Sequence, residues 1–349
     1  MSIIWNFNEN QGIGLVPGFP PKGTKLMADK IDVSQFRVSS KYLLGYQTSA
    51  KIVKNDRNSY ILYLAPATYS FSVAQLRGRD GKMINTCPDA SPECIATCLN
   101  ISGRSEIEIF TSLKEGKNVR TFEGVGNILR ARIGRTALLY WYPDLFYSKI
   151  ADELKAAAKE HGSEPIAVRM NGTSDIDFIT EMSRRGMLKN LPSNFVFYDY
   201  TKEPLRAGKF ILPSGHMYVV TFSRSETNTP MAINMLERGN LVAVVFREIP
   251  KKWYGFDVID GDLADDLMID LAEGKYIEKE KYLVGKDKKG KPEYAKRPTG
   301  NVYTFNWGKQ KGYVLGLTAK GSLKKYKSKK GAKGFVIECD NLKDCRVGL

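Results

Sequence analysis

Cys87, Cys94 and Cys98 place three of the chain's five cysteines within twelve positions, in the stretch TCPDASPECIATCLNISGR. Thiolates are soft ligands, and Cys-x6-Cys-x3-Cys on a proline-bearing loop lets three sulfurs converge on one metal. Structural zinc takes four ligands. A fourth would have to come from Cys339, Cys345, His161 or His216, and none stands at a finger spacing. With two histidines in the whole chain, histidine-rich sites are excluded. Three thiolates with one position left open suit a four-iron, four-sulfur cluster. The plainer reading is a set of reduced, half-buried thiols that ligate nothing.

A second stretch, GFDVIDGDLADDLMID, carries Asp257, Asp260, Asp262, Asp265, Asp266 and Asp270. Carboxylates favour hard cations, and two magnesium ions can activate water for phosphodiester cleavage. With Asp175, Asp177 and a basic tract, this makes a metal-dependent nuclease a coherent alternative. The plainer reading is a DGD turn followed by the solvated face of a helix. There is no GxGxxG and no GxxxxGK[ST], so dinucleotide and P-loop chemistry have no support.

The formal charge is +15 over 349 residues, and it is unevenly spread. Residues 275–335 hold 18 Lys and Arg against four Asp and Glu, leaving the rest of the chain nearly neutral. Lys324, Lys325, Lys327, Lys329 and Lys330 are its densest run, in GSLKKYKSKKGAKG. Such a tract can follow a nucleic-acid backbone or an acidic host protein. It can also be a pair of solubilising loops.

The elements that must position these groups read as α/β. The first 55 residues, punctuated by Gly and Pro, predict a wrapping arm. SYILYLAPATYSFSVAQLR predicts two strands broken at Pro66. In PDLFYSKIADELKAAAKEHG, Pro143 opens a helix, Phe146, Ile150, Leu154 and Ala157 recur on one face, and Gly162 ends it. PIAVRMNG, NFVFYDY, HMYVVTFSR and LVAVVFREI then read as buried strands, with DIDFITEMSRRG and TPMAINMLERG as helices between them. This alternation predicts a parallel βα barrel or part-barrel over residues 56–260, with the cysteine loop at 87–98. Residues 261–349 form a basic C-terminal extension containing strands.

Parallel sheets gather ligands at the carboxyl ends of their strands. Asn171, Gly172, Thr173, Ser174 and Asp175 follow one strand; Tyr200, Thr201 and Lys202 the next; Ser223, Arg224, Ser225 and Glu226 the third. Singly, each suits a turn or a helix cap. Together they predict a shared polar mouth.

CPDASPECIATC, with AVRMNGTSDIDF, VFYDYTKEP, VTFSRSE and GYVLGLTAKG, resembles the phage-encoded gene product 88-like family over roughly residues 45–340. That resemblance implies a viral protein of unestablished activity. The layout is also similar, more distantly, to radical S-adenosylmethionine enzymes, whose cysteine triad opens a parallel αβ barrel. Their usual Cys-x3-Cys-x2-Cys is tighter than the spacing here. The second resemblance implies that Cys87, Cys94 and Cys98 hold three irons. The Asn171–Asp175 turn would then face the methionyl ammonium of S-adenosylmethionine, Arg224 its carboxylate, and Ser223 or Glu226 its ribose.

No apolar run approaches the ~20 residues that cross a bilayer, and MSIIWNFNENQGIG lacks the pattern of a secretory signal. The expected setting is the cytoplasm of the infected host cell, where reducing conditions disfavour disulfides.

Overall fold

The structure, a computed structural model, describes residues 42–46, 55–66, 84–96, 98, 104–117, 124, 126–286, 292–319 and 334–347. The chain enters the sheet through β1 (Leu44–Tyr46) and β2 (Asn58–Leu62). The second half of SYILYLAPATYSFSVAQLR, most of the arm over 1–55, and the lysines from Lys324 to Lys330 lie outside the described residues.

Four helices follow: α1 (Pro92–Ala96) in the cysteine loop, α2 (Arg104–Lys114), α3 (Asn127–Trp141) and α4 (Pro143–His161). In α4 the expected stripe is buried at Phe146, Ile150, Leu154 and Ala157. Pro143 fills the first turn, where a missing N–H costs nothing. Gly162, at φ +58°, stops the helix in a conformation that a Cβ disfavours.

Strand and helix then alternate as the sequence predicts. β3 (Ile166–Arg169), α5 (Phe178–Arg184) and β4 (Phe195–Thr201) lead to β5 (Gly208–Ile211) and β6 (Met217–Ser223). Next come α6 (Thr229–Glu237), β7 (Val242–Phe246), β8 (Lys252–Trp253), β9 (Phe256–Asp260) and α7 (Leu267–Ala272). A long hairpin of β10 (Lys275–Lys286) and β11 (Pro292–Thr304) precedes β12 (Val314–Thr318) and β13 (Val336–Ile337).

The main sheet runs β1-β2-β3-β4-β6-β7-β12-β9-β8 and is parallel from β2 to β9. Apolar side chains cover both faces. α3, α4 and α5 pack on one side around Phe146, Phe178 and Phe197, while α7 closes the other around Tyr198, Leu267 and Met268. Burial on both faces explains why VAVVF reads as a continuous apolar run.

A barrel requires its first and last strands to pair; here the described path ends at two short antiparallel strands, β1 and β8, and stays open. The stretch after residue 260, expected as a basic extension containing strands, supplies strands to the main sheet. β12 lies between β7 and β9, so the basic tract contributes an interior strand, and β13, just beyond it, pairs with β7. The apolar VLGLT is fit for that place, and the lysines around it conceal the fact in the sequence.

Candidate functional site: the carboxyl edge of the sheet

The turn after β3 is built on a buried carboxylate. Asp199, in mid-β4, accepts from the Asn171 backbone N at 2.8 Å and its Nδ2 at 3.1 Å, with the Tyr218 hydroxyl at 3.4 Å. Asn171 passes the order on: its Oδ1 accepts from Ser174 Oγ at 2.8 Å and from Ile176 N at 2.9 Å. Burial pushes the Asp199 carboxyl up to about 7, against the pull of Arg169 and the two Asn171 donors. Gly172 donates to Leu62 O, and a Cβ at that position would come within 2.6 Å of the same oxygen. The turn can therefore lie against β2 only because residue 172 has no side chain.

Onto this turn the cysteine loop is fastened. Thr86 O accepts from Asp175 N at 2.7 Å, and Thr86 Oγ1 donates to Ala65 O at 2.7 Å. The Cys87 thiol points at Thr173 O, 3.7 Å away. At the other end of the loop, Glu226 accepts from Ser91 Oγ at 2.7 Å and from Glu93 N at 2.8 Å, meeting the open N–H groups at the start of α1. Glu93 in turn accepts from Phe335 N, just before β13, at 2.6 Å. The loop is thus tied to the ends of β2, β3 and β6 and to the approach to β13. Its three cysteines form no disulfide and are half-buried.

The remaining polar groups complete the mouth. Asp175 accepts from Thr201 Oγ1, Lys202 N and Arg206 Nη1, each at 2.8 Å. Lys202 Nζ lies 3.4 Å from Ser223 Oγ and 5.8 Å from the centre of the Phe335 ring. Asp89, within the cysteine loop, is held above the usual carboxylate range by burial and by the negative charges of Asp175 and Glu203. Arg224 is 2 % exposed; its guanidinium donates to Thr229 Oγ1 and to the carbonyls of Gly334 and Phe335.

The three consecutive strand ends do share one polar mouth, but most of its members bond inward. Asn171, Ser174 and Asp175 shape the turn, Arg224 holds the approach to β13, and Glu226 holds α1. Of the groups expected to cradle S-adenosylmethionine, Asp175 and Glu226 also bond the cysteine loop, and Arg224 bonds the segment before β13. Sequence reasoning passed over Asp199, Ser91, Glu93 and Arg206. Asp199 had a signal, as the single charge inside NFVFYDY.

The candidate fourth ligands are engaged elsewhere. Cys339 and Cys345 form a disulfide, against the expectation of reduced thiols; the six-residue separation brings their Cα atoms to 5.3 Å. His161 bonds the Tyr60 hydroxyl at 2.9 Å, and His216 bonds Ser214 and Pro192 O at the amino end of β6.

The carboxylate string is also spent on structure. Asp262 accepts from Thr318, Asp265 from Arg169 and Tyr198, and Asp270 from Arg57, while Asp177 caps α5. Asp265 and Asp266 are buried, not on a solvated helix face. Among the described residues, no three His, Cys, Asp or Glu side chains are grouped as a metal ion needs. Cavities of about 400 Å³ beside Lys209 and Trp307, and of about 180 Å³ beside Asp56 and Asp266, lie away from the cysteine loop. Among the described residues no helix is long and apolar enough to cross a membrane.

The family model for gene product 88 matches residues 43–301. No curated protein and no solved structure matches the chain.

Proposed function

The chain belongs to the phage gene product 88 family, and from that premise we propose that its working site is the carboxyl edge of the sheet, where Cys87, Cys94 and Cys98 take up a soft metal centre. One observation carries the reading: three cysteines outside any disulfide sit on one loop that Glu226, Asp175 and Thr173 fasten across consecutive strand ends. That edge is where parallel αβ proteins put their chemistry.

The donor set fits such a centre. Soft sulfur ligands select iron–sulfur clusters, zinc or copper(I) over hard cations. Three ligands, with no fourth beside them among the described residues, suit an iron–sulfur cluster with one iron left open better than a four-coordinate zinc. The thiols as described are not gathered around one point. Neutral thiols have no mutual attraction, and a soft cation draws them together by displacing their protons. Uptake therefore has to close the loop on the metal, with Cys94 and Cys98, four residues apart, moving toward Cys87.

Bound there, an iron–sulfur centre would supply one-electron chemistry. The chain's own residues do the rest: Glu226 and Thr86 hold the two ends of the loop, Asp175 sets the turn beneath it, and Lys202 and Arg206 keep positive charge at the rim.

Alkylation read by mass spectrometry tests this. Without added metal, Cys87, Cys94 and Cys98 should each label with iodoacetamide. After air-free incubation with ferrous iron and sulfide, all three should be protected together. Labelling that stays unchanged at all three, or protection of only one, overturns the proposal.

A further inference from the structure

A cavity of about 180 Å³ lies where the root of the β10–β11 hairpin meets α7 and the turn before it. Leu263 and Ala264 from that turn, with Tyr276 and Ile277 from β10, give it apolar walls. Asp266, 2 % exposed, lines it too. The residue stands directly before α7, yet its carboxylate accepts none of that helix's first N–H groups. Its Oδ2 is buried, and among the described residues it accepts no hydrogen bond.

The cation beside Asp266 is committed elsewhere. Arg57 Nη1 stands 3.5 Å from Asp266 Oδ2, but Arg57 gives its hydrogen bonds to Asp270 at 2.6 Å and to Glu273 at 2.9 Å. One guanidinium therefore answers three carboxylates. Of the other cations lining the cavity, Lys279 and Lys296 close on Asp56. A buried carboxylate oxygen left without a donor is costly, and such a group in a native fold calls for a partner. The partner that fits is a positive donor small enough to reach Asp266 between apolar walls.

We propose that this cavity binds a small primary ammonium ion, which donates to Asp266 Oδ2 and rests its apolar body against Leu263, Ala264, Tyr276 and Ile277. The size is right, since a cavity on the order of 150 Å³ admits benzene. An ammonium group carries three donors on one compact charge, so it completes Asp266 and offsets the surplus of carboxylates around Arg57. Hard metal ions want about six or more oxygen ligands, and among the described residues no three acids are grouped for one. A neutral hydroxyl supplies the hydrogen bond but leaves the charge surplus standing. The cavity lies away from the cysteine loop, and the metal proposal does not depend on it.

Calorimetric titration of full-length protein with benzylamine, and with benzyl alcohol as its uncharged counterpart, provides the test. Wild type should bind benzylamine with a Kd of about 1 mM or tighter, and benzyl alcohol about tenfold more weakly. Asp266→Asn should weaken benzylamine binding about tenfold or more. Ala264→Leu, which fills the cavity and keeps the carboxylate, should weaken it as well. Wild type supplies a further arm, because burial raises the Asp266 carboxyl to about 6. The charged groups facing it are Arg57, Asp265 and Asp270, with Asp56, Lys279 and Lys296 lining the same cavity. As the carboxylate takes up a proton, benzylamine affinity should fall several-fold from about pH 7 to about pH 5, while that of benzyl alcohol holds. No binding of benzylamine by wild type overturns the proposal. So do equal affinities for amine and alcohol, a flat pH profile, or undiminished binding in either variant with a wild-type melting profile.

Discussion

Arg224→Leu is expected to cost about 3 kcal/mol or more of folding stability and to loosen the cysteine loop. The guanidinium is buried after β6 and donates to Thr229 Oγ1 and to two main-chain carbonyls, those of Gly334 and Phe335. Hydrogen bonds from a charged donor contribute about 1.5–3 kcal/mol each, and stranding buried acceptors adds a penalty of similar size. Burial draws the Arg224 pKa down to about 10, still well above neutrality, so the side chain stays charged and its replacement removes a cation. Phe335 also donates to Glu93, so losing the anchor at 334–335 reaches α1 and the thiols. Arg224→Lys should recover little, because a single ammonium cannot span three acceptors set for a fork. Urea unfolding followed by tryptophan fluorescence gives the cost; a loss below ~1 kcal/mol would show that the guanidinium holds nothing.

The second large effect is a pH dependence centred on Asp199. Its folded value of about 7 lies above the ordinary carboxylate value of 3.8. Between those limits the native state binds more protons than the unfolded chain, so stability falls as pH rises from about 4 to about 7 and then levels. The full drop is on the order of 4 kcal/mol for this group. Asp266, raised to about 6 mainly by burial, adds to the slope in the same direction. Asp199→Asn keeps a neutral group at every pH and should remove the larger part of the fall. Urea midpoints from pH 4 to pH 8 for wild type and variant measure it, and two parallel profiles would show that Asp199 is not the group titrating.

What the sequence disclosed, and what it hid, follows from the range of the interactions involved. The helix from Pro143 to His161 is legible because its start, stripe and stop are local. The strands holding Val168, Phe197, Val220 and Val244 are legible as apolar runs, and their polar successors as a mouth. The place of β12 is not: its pairing with β7 joins residues 72 positions apart, and no local pattern reports it. Burial was the other blind spot. Arg224 and Glu226, standing after a strand, read as ligands for a cofactor, and no local pattern reports their hydrogen bonds to Gly334, Phe335, Ser91 and Glu93. The cysteine spacing marked the loop, and the hydrogen bonds that fasten it across three strand ends emerged only in the folded chain.

Metal and sulfide analysis of protein prepared without air tests the central claim most directly. The account predicts iron and labile sulfide in near-equal amounts, both lost in Cys87→Ser/Cys94→Ser/Cys98→Ser. Zinc alone would remove the one-electron role. No iron, zinc or sulfide above background, or metal retained after all three sulfurs are gone, would contradict the account.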